Sequence, residues 1–150
     1  QKATYLKGAD LYNRDDFEQA GRYFKTSLQY PKDPVYTSAA LFWLGESLSM
    51  TGNNDEAIGN YERVLSMGQG VDLDLMVSTR YALGYAYFNK QDFAKALPHF
   101  REFVAKANKS NPNYSDGTVR LADCFYAGRQ YSDALATYTR ARSLASPDQD

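Results

Sequence analysis

The 150-residue chain holds one histidine and one cysteine, His99 and Cys124. A Ser/His/Asp relay needs an imidazole held beside a nucleophile, and a structural zinc needs four N or S ligands. One His and one Cys make the first hard to build and leave the second without its ligands. Cys124 stands among Ala122, Phe125 and Tyr126, where a thiol is expected to be a buried, inert small hydrophobe. His99 follows Pro98 and is expected to face solvent. The carboxylate pairs Asp15-Asp16 and Asp55-Glu56 sit where helices should start, and there they favour the helix macrodipole. Gly68-Gln69-Gly70 lacks the Lys-Ser/Thr of a phosphate-binding loop. No catalytic residue, no metal ligand set and no cofactor is therefore expected, and the chain reads as a non-enzyme.

Composition narrows the class further. Lys and Arg number 17 against 18 Asp and Glu, and 43% of residues are hydrophobic. That is enough apolar material for a core and argues against disorder. No basic block is dense enough to track a phosphate backbone, so no nucleic-acid partner is expected. No apolar run approaches the ~20 residues that span a bilayer, so no direct membrane insertion is expected. Residues 1–75 carry a net charge of −4 and residues 76–150 a net charge of +3. The chain starts at Gln1 without Met and reads as a segment of a longer protein. Any targeting signal would lie outside it, which leaves localisation open.

The 13 Tyr and 8 Phe are not scattered. Ala20 precedes Phe24, Ala57 precedes Tyr61, Ala96 precedes Phe100 and Ala134 precedes Tyr138, each by four positions. Twelve residues before each alanine stands another small residue: Gly8, Gly45, Gly84 and Ala122. Both series step by 37, 39 and 38 residues. Within a unit the apolar period is helical, as at Leu41, Leu44, Gly45 and Leu48. Short polar turns such as Asn13-Arg14-Asp15-Asp16 and Asn89-Lys90-Gln91-Asp92 separate the two helices of each unit. Asp15 or Asp16, Asn53 and Asp92 are suited to cap the second helix. A glycine inside a helix costs ~1 kcal/mol relative to Ala, so three at one position imply that the helices cross closely there. Pro98 falls inside a second helix and is expected to kink it without breaking it.

This pattern resembles the tetratricopeptide repeat, a helix–turn–helix unit that recurs along a chain. Leu41, Leu44-Gly45, Leu48, Ala57 and Tyr61 in the second unit, and Leu83-Gly84, Tyr87, Phe93, Ala96 and Phe100 in the third, carry the likeness. The fourth unit adds Leu121-Ala122, Phe125, Tyr131, Ala134, Tyr138, Ala141 and Pro147. Lys7 departs from it, standing where other units have Leu44, Leu83 and Leu121. The resemblance implies an all-α, right-handed α-α superhelix of four repeats, about eight helices, over roughly residues 1–34, 35–71, 72–110 and 111–147 as one domain. The stretch from Tyr30-Pro31 through Phe42-Trp43-Leu44-Gly45-Glu46 is similar to bacterial cell-envelope repeat proteins of the periplasmic Tol–Pal-associated and outer-membrane assembly lipoprotein kind. An envelope location is implied by that likeness alone.

In the resembled family the first helices line a concave groove. Carried over position by position, the groove residues expected here are Tyr5, Tyr12, Phe42, Glu46, Tyr81, Tyr85, Phe88, Val119, Asp123 and Tyr126. The expected ladder across units is Tyr5, Phe42, Tyr81 and Val119. Tyrosine gives contact area and a polar tip at low entropic cost. Positions matching the family's carboxylate clamp are Tyr5, Ala9, Trp43, Ser78 and Ala82, which donate weakly or not at all, so binding of a chaperone tail is not expected. The leading expectation is a non-catalytic scaffold that binds a protein or peptide through an aromatic groove. The alternative is a structural segment of a longer array, or a spacer that self-associates through exposed end helices, with Leu135 and Leu144 partly uncovered.

Overall fold

The computed structural model describes residues 1–145. Pro147, assigned above to the fourth unit, lies outside them. Eight α-helices account for most of the described chain: α1 (Lys2–Asn13), α2 (Phe17–Gln29), α3 (Pro34–Met50), α4 (Asn54–Ser66), α5 (Leu73–Asn89), α6 (Phe93–Lys106), α7 (Tyr114–Ala127) and α8 (Tyr131–Ala145). No strand occurs among the described residues. Contacts divide the chain into one unit spanning Gln1–Ala82 and a second from Leu83 onward. In the first, α1 packs on α2 and α3, α2 on α3, and α3 on α4; in the second, α6 packs on α7 and α7 on α8.

The small residues work by contact distance. A Cβ built on Gly8 would lie 2.8 Å from Phe24 Cε1, on Gly45 2.6 Å from Tyr61 Cε1, and on Gly84 2.7 Å from Phe100 Cε1. In the first three repeats the ring four residues after the alanine thus packs directly against the glycine of the facing helix. Phe24, Tyr61 and Phe100 are fully buried, and each such burial is worth about 1.5–3 kcal/mol. That exceeds the ~1 kcal/mol cost of a mid-helix glycine. A further close approach was not evident from the repeat: Gly117 on α7 receives Phe103 of α6 at 2.6 Å from a built Cβ.

Each hairpin turn reuses one device. Asp15, Gly52, Gln91 and Arg129 all have positive φ, and they too step by 37, 39 and 38 residues. The amide after each reaches back five residues: Asp16 N to Leu11 O, Asn53 N to Leu48 O, Asp92 N to Tyr87 O and Gln130 N to Phe125 O, all at 2.8–3.0 Å. This is a Schellman closure with a left-handed residue at the helix end. Only the second turn uses glycine there.

Capping follows in part. Asp16, not Asp15, accepts from Gln19 N at 3.3 Å, because Asp15 is the left-handed turn residue. Asp92 accepts from Lys95 N at 3.2 Å. Asn53 occupies the N-cap position without a side-chain cap bond; its amide instead donates to Thr51 Oγ1 at 3.1 Å. Asp33 caps α3 through Val35 N at 2.9 Å, with Pro34 opening the helix. α6 runs unbroken through Pro98, which is exposed, so the carbonyl of Ala94 that loses its amide partner lies on a wet face. Lys7 is exposed where Leu44, Leu83 and Leu121 are buried.

The loops between hairpins are held by side chains. Gln1 Oε1 accepts from Lys32 N and Asp33 N at 3.0 and 2.8 Å. Gly70 has φ +74° and lies so close to Pro34 that an added Cβ would fall 2.3 Å from its carbonyl carbon. The Gly70 carbonyl accepts from Ser38 Oγ.

Candidate functional site

The ten expected groove residues divide between the two units. Tyr5, Tyr12, Phe42, Glu46 and Tyr81 fall in the first, and Tyr85, Phe88, Val119, Asp123 and Tyr126 in the second. Most keep part of their surface. Tyr5, Tyr12, Glu46, Tyr81, Tyr85, Phe88, Val119 and Asp123 are partly buried, and Tyr126 is 61% exposed. Phe42 is the exception at 7%. Its ring packs on Trp43 and Tyr61 at centroid distances of 5.1 and 5.9 Å, so it belongs to the core more than to any surface.

In the first unit, rings of α1 meet rings of α3. Tyr5 meets Tyr36 edge-on at 5.4 Å, and Tyr12 meets Trp43 edge-on at 4.9 Å. Beside them Glu46 accepts a 2.5 Å hydrogen bond from the Tyr61 hydroxyl. Burial raises the Glu46 pKa, and the Tyr61 bond partly counteracts it. The same burial, reinforced by the Glu46 charge, pushes the Tyr61 hydroxyl well above the usual phenol range. No basic side chain pairs with Glu46 among the described residues.

The second unit is built differently at matching positions. Asp123 accepts from the Tyr138 hydroxyl, as Glu46 does from Tyr61. Tyr138 is raised to about 12, by burial first and then by Asp123. Here, however, Arg120 Nη1 donates to Asp123 Oδ2 at 2.7 Å, and Arg120 Nε lies 3.5 Å from Asp116 Oδ1. The guanidinium sits over the Phe88 ring at 5.5 Å, and Tyr85 donates to Asp116. Burial lowers the Arg120 pKa, but Tyr85, Asp123 and Asp116 more than offset it. The result is one connected chain, Tyr85–Asp116–Arg120–Asp123–Tyr138, across three helices.

Sequence reasoning weighed Trp43 only as a clamp position, and did not single out Arg120, Tyr36 or the hydroxyls of Tyr61 and Tyr138 for this surface. A signal for the last was present. Repeats with an acid just after the small residue, Glu46 and Asp123, have Tyr at the facing ring position; those with Ala9 or Tyr85 there have Phe24 or Phe100. A phenol reaches the acid that a phenyl ring could not satisfy.

The residues first weighed for chemistry take structural roles. Cys124 is buried, and burial, then Asp123, pushes its thiol up to about 12. His99 is not freely solvated as expected: its ring is partly buried and stacks on Tyr87 at 5.7 Å and 7°. Glu56 pairs with Lys25 at 3.3 Å, and Asp16 caps α2. No helix among the described residues is long and apolar enough to cross a membrane.

Comparison with known proteins places these features. A family model described as tetratricopeptide repeat matches residues 5–71 and 81–149. A curated relative, the DnaJ homolog subfamily C member 7 homolog of Dictyostelium discoideum, is 29% identical over 149 residues, covering 93% of this chain and 27% of the relative. The chain thus spans about a quarter of that relative's length. Among solved structures, MamA superposes with a TM-score of 0.73 at 22% identity, covering 91% of this chain and 73% of that one. YrrB, described as a TPR protein with an unusual peptide-binding site, superposes with a TM-score of 0.59 at 16% identity, covering 97% and 86%.

Proposed function

This chain belongs to the tetratricopeptide-repeat family, and from that premise we propose that it is a non-catalytic scaffold that binds a protein or peptide partner on the aromatic surface of its first helices. One observation carries the reading. The repeated second-helix rings Phe24, Tyr61 and Phe100 are sealed in the core, whereas the first-helix rings Tyr5, Tyr12, Tyr81, Tyr85, Phe88 and Tyr126 keep part of their surface in water. Burial of second-helix rings explains the fold, and ring packing between α1 and α3 uses part of the Tyr5 and Tyr12 faces, but the surface that these rings and Tyr126 still leave in water answers to neither. Tyr and Phe on such a surface bring large, rigid contact area to a partner. YrrB's description as peptide-binding is in keeping with this use.

The test is a random twelve-residue peptide library selected against the immobilised chain. Binders should be recovered, and Tyr12→Ser with Tyr126→Ser should weaken them at least tenfold while the far-ultraviolet circular dichroism stays helical. Recovery of no binder, or equal affinity for the variant, would remove the reading.

A second reading, a self-associating spacer, is favoured by the end helix. Leu135 on α8 is 70% exposed and Tyr131 57%, a pair of apolar side chains one turn apart. Light scattering that shows a strict monomer at millimolar concentration would count against it. The finer likeness to bacterial cell-envelope repeat proteins rests on residues 30–46 alone.

A further inference from the structure

The two units contain the same constellation with one exchange, and that exchange points to a ligand. Aligned on Gly45 and Ala122, Glu46 corresponds to Asp123, Trp43 to Arg120 and Ala39 to Asp116. Tyr61 corresponds to Tyr138 on the facing helices. One repeat earlier, Tyr12 corresponds to Phe88 and Ala9 to Tyr85. In the second unit a guanidinium lies on the Phe88 ring between two carboxylates. In the first unit the acid and its phenol remain, with the same aromatic wall, but an indole stands in the guanidinium's position against Tyr12. The carboxylate is retained and its cation is not.

We infer that the Glu46 site of the first unit takes the guanidinium or ammonium group of an Arg or Lys side chain from a basic partner peptide, supplying from outside the charge that Arg120 supplies within the second unit. This rests on the partner-binding reading above and names the chemistry of the partner.

Three observations support it beyond the correspondence. Glu46 is held in place by the 2.5 Å bond from Tyr61, which uses one of its oxygens and leaves the other without a partner in the described chain. The positions that flank the guanidinium in the second unit, Tyr85 and Asp116, are Ala9 and Ala39 here, both only partly buried, so no second acid or phenol stands at those positions in the first unit. Aromatic rings stand beside it: Tyr12, which interacts electrostatically with Glu46, packs edge-on against Trp43 at 4.9 Å, and Trp43 is three residues before Glu46 on α3. A cation over such rings gains from their quadrupoles, more so when partly desolvated. The setting agrees in sign, since residues 1–82 carry eleven acidic and eight basic side chains. A positively charged segment is therefore steered toward this unit.

The chain contains a single tryptophan, and it is Trp43, so the site carries its own reporter. Titration with N-acetyl-arginine amide should give a saturable change in Trp43 fluorescence. N-acetyl-citrulline amide, its uncharged isostere, should act at least fivefold more weakly. Glu46→Gln should abolish the difference between the two. Peptides selected from the random library should be enriched in Arg and Lys, and their affinity, read by anisotropy of a fluorescent label, should fall at least tenfold in Glu46→Gln. Should that variant fold poorly, Trp43→Arg builds the second unit's arrangement into the first and should remove the preference for basic peptides. Equal responses to arginine and citrulline, or library binders with no basic enrichment, would overturn the inference while leaving peptide binding itself intact. A library that yields no binder would remove the partner-binding reading, and an arginine response that depends on Glu46 would still stand on its own.

Discussion

The first and second units share a skeleton of small residues and rings, yet they settle the same polar problem in opposite ways. In the second, Asp123 is satisfied by Tyr138 and by Arg120, so its charge is answered within the chain. In the first, Glu46 has the phenol and, among the described residues, no paired cation. The outer clefts between the second helix of one repeat and the first helix of the next differ too. Around Gly21, Lys25 and Ser47 the cleft is about 140 Å³, whereas around Leu97, Arg101 and Cys124, at the matching positions, it is about 550 Å³. Gly21 lets Leu44 and Ser47 approach to 3.7 Å of where its Cβ would be. The two units therefore share the small-residue and ring contacts of each hairpin and differ most where one repeat meets the next and at the surface.

The largest effect that could break this comparison is expected at a core position where the units differ. Phe103 is buried against Gly117, and its counterpart in the first unit is Ser27, whose hydroxyl donates to Gln1 O at 3.1 Å. Phe103→Ala should cost about 3–5 kcal/mol in urea unfolding, whereas Ser27→Ala should cost no more than ~1.5 kcal/mol. Equal costs would mean that the inter-repeat packing is the same in both units and that the glycine contact contributes little.

Next comes the shared crossing. Gly45→Ala places a methyl group 2.6 Å from Tyr61 and should destabilise by about 1–3 kcal/mol through overpacking, despite the gain in helix propensity. Ala122 already carries that methyl and is fully buried, so Ala122→Gly should lose about 1–2 kcal/mol through lower helix propensity and the removed buried methyl. Opposite-sized substitutions that both destabilise would show that each repeat is tuned to its own small residue.

The turns should give a smaller effect whose sign depends on whether glycine already holds the left-handed position, as Gly52 does in the first unit and neither Gln91 nor Arg129 does in the second. Gln91→Gly and Arg129→Gly relieve a left-handed conformation and should each raise stability by about 1 kcal/mol. Gly52→Ala in the first unit should lower it by a similar amount. Chemical denaturation at constant pH measures all three.

The smallest expected effect is in pH dependence. Burial raises the Glu46 pKa above its unfolded value, so the folded state holds that proton more tightly than the unfolded state. Stability from this group is complete below the unfolded pKa and is lost as pH rises through the folded pKa. Glu46→Gln should flatten that part of the stability–pH profile, and saturating N-acetyl-arginine amide should flatten it in the unaltered chain. A profile that Glu46→Gln leaves unchanged would show that Glu46 is no less stable ionised than in water.

Much of this was legible in the residues before any coordinates. Gly8, Gly45, Gly84 and Ala122, with their rings sixteen residues on, announced four helical hairpins, since a period of 37–39 residues and an apolar spacing of three and four leave few other folds. The single His and Cys argued against the common nucleophilic and metal chemistries before their surroundings were known. The candidate surface was legible only as a set of positions. Phe42 shared that set and turned out to be core. Arg120 fell outside it and became the centre of the second unit's polar chain.

What the sequence determined by itself was therefore periodic: which residues recur, which helix each occupies and where each turn must reverse. Periodicity suffices there because one helix face and one turn geometry impose the same demand in each repeat. What only the tertiary structure decided was pairwise. Spacing along α7 already pairs Arg120 with Asp116 and Asp123, four and three residues away, but the Phe88 ring under the guanidinium, the phenols of Tyr85 and Tyr138, and the Tyr12 ring against Trp43 all arrive from neighbouring helices. Between helices, Coulomb and hydrogen-bond energies act over distances of a few ångströms that spacing along the chain does not encode.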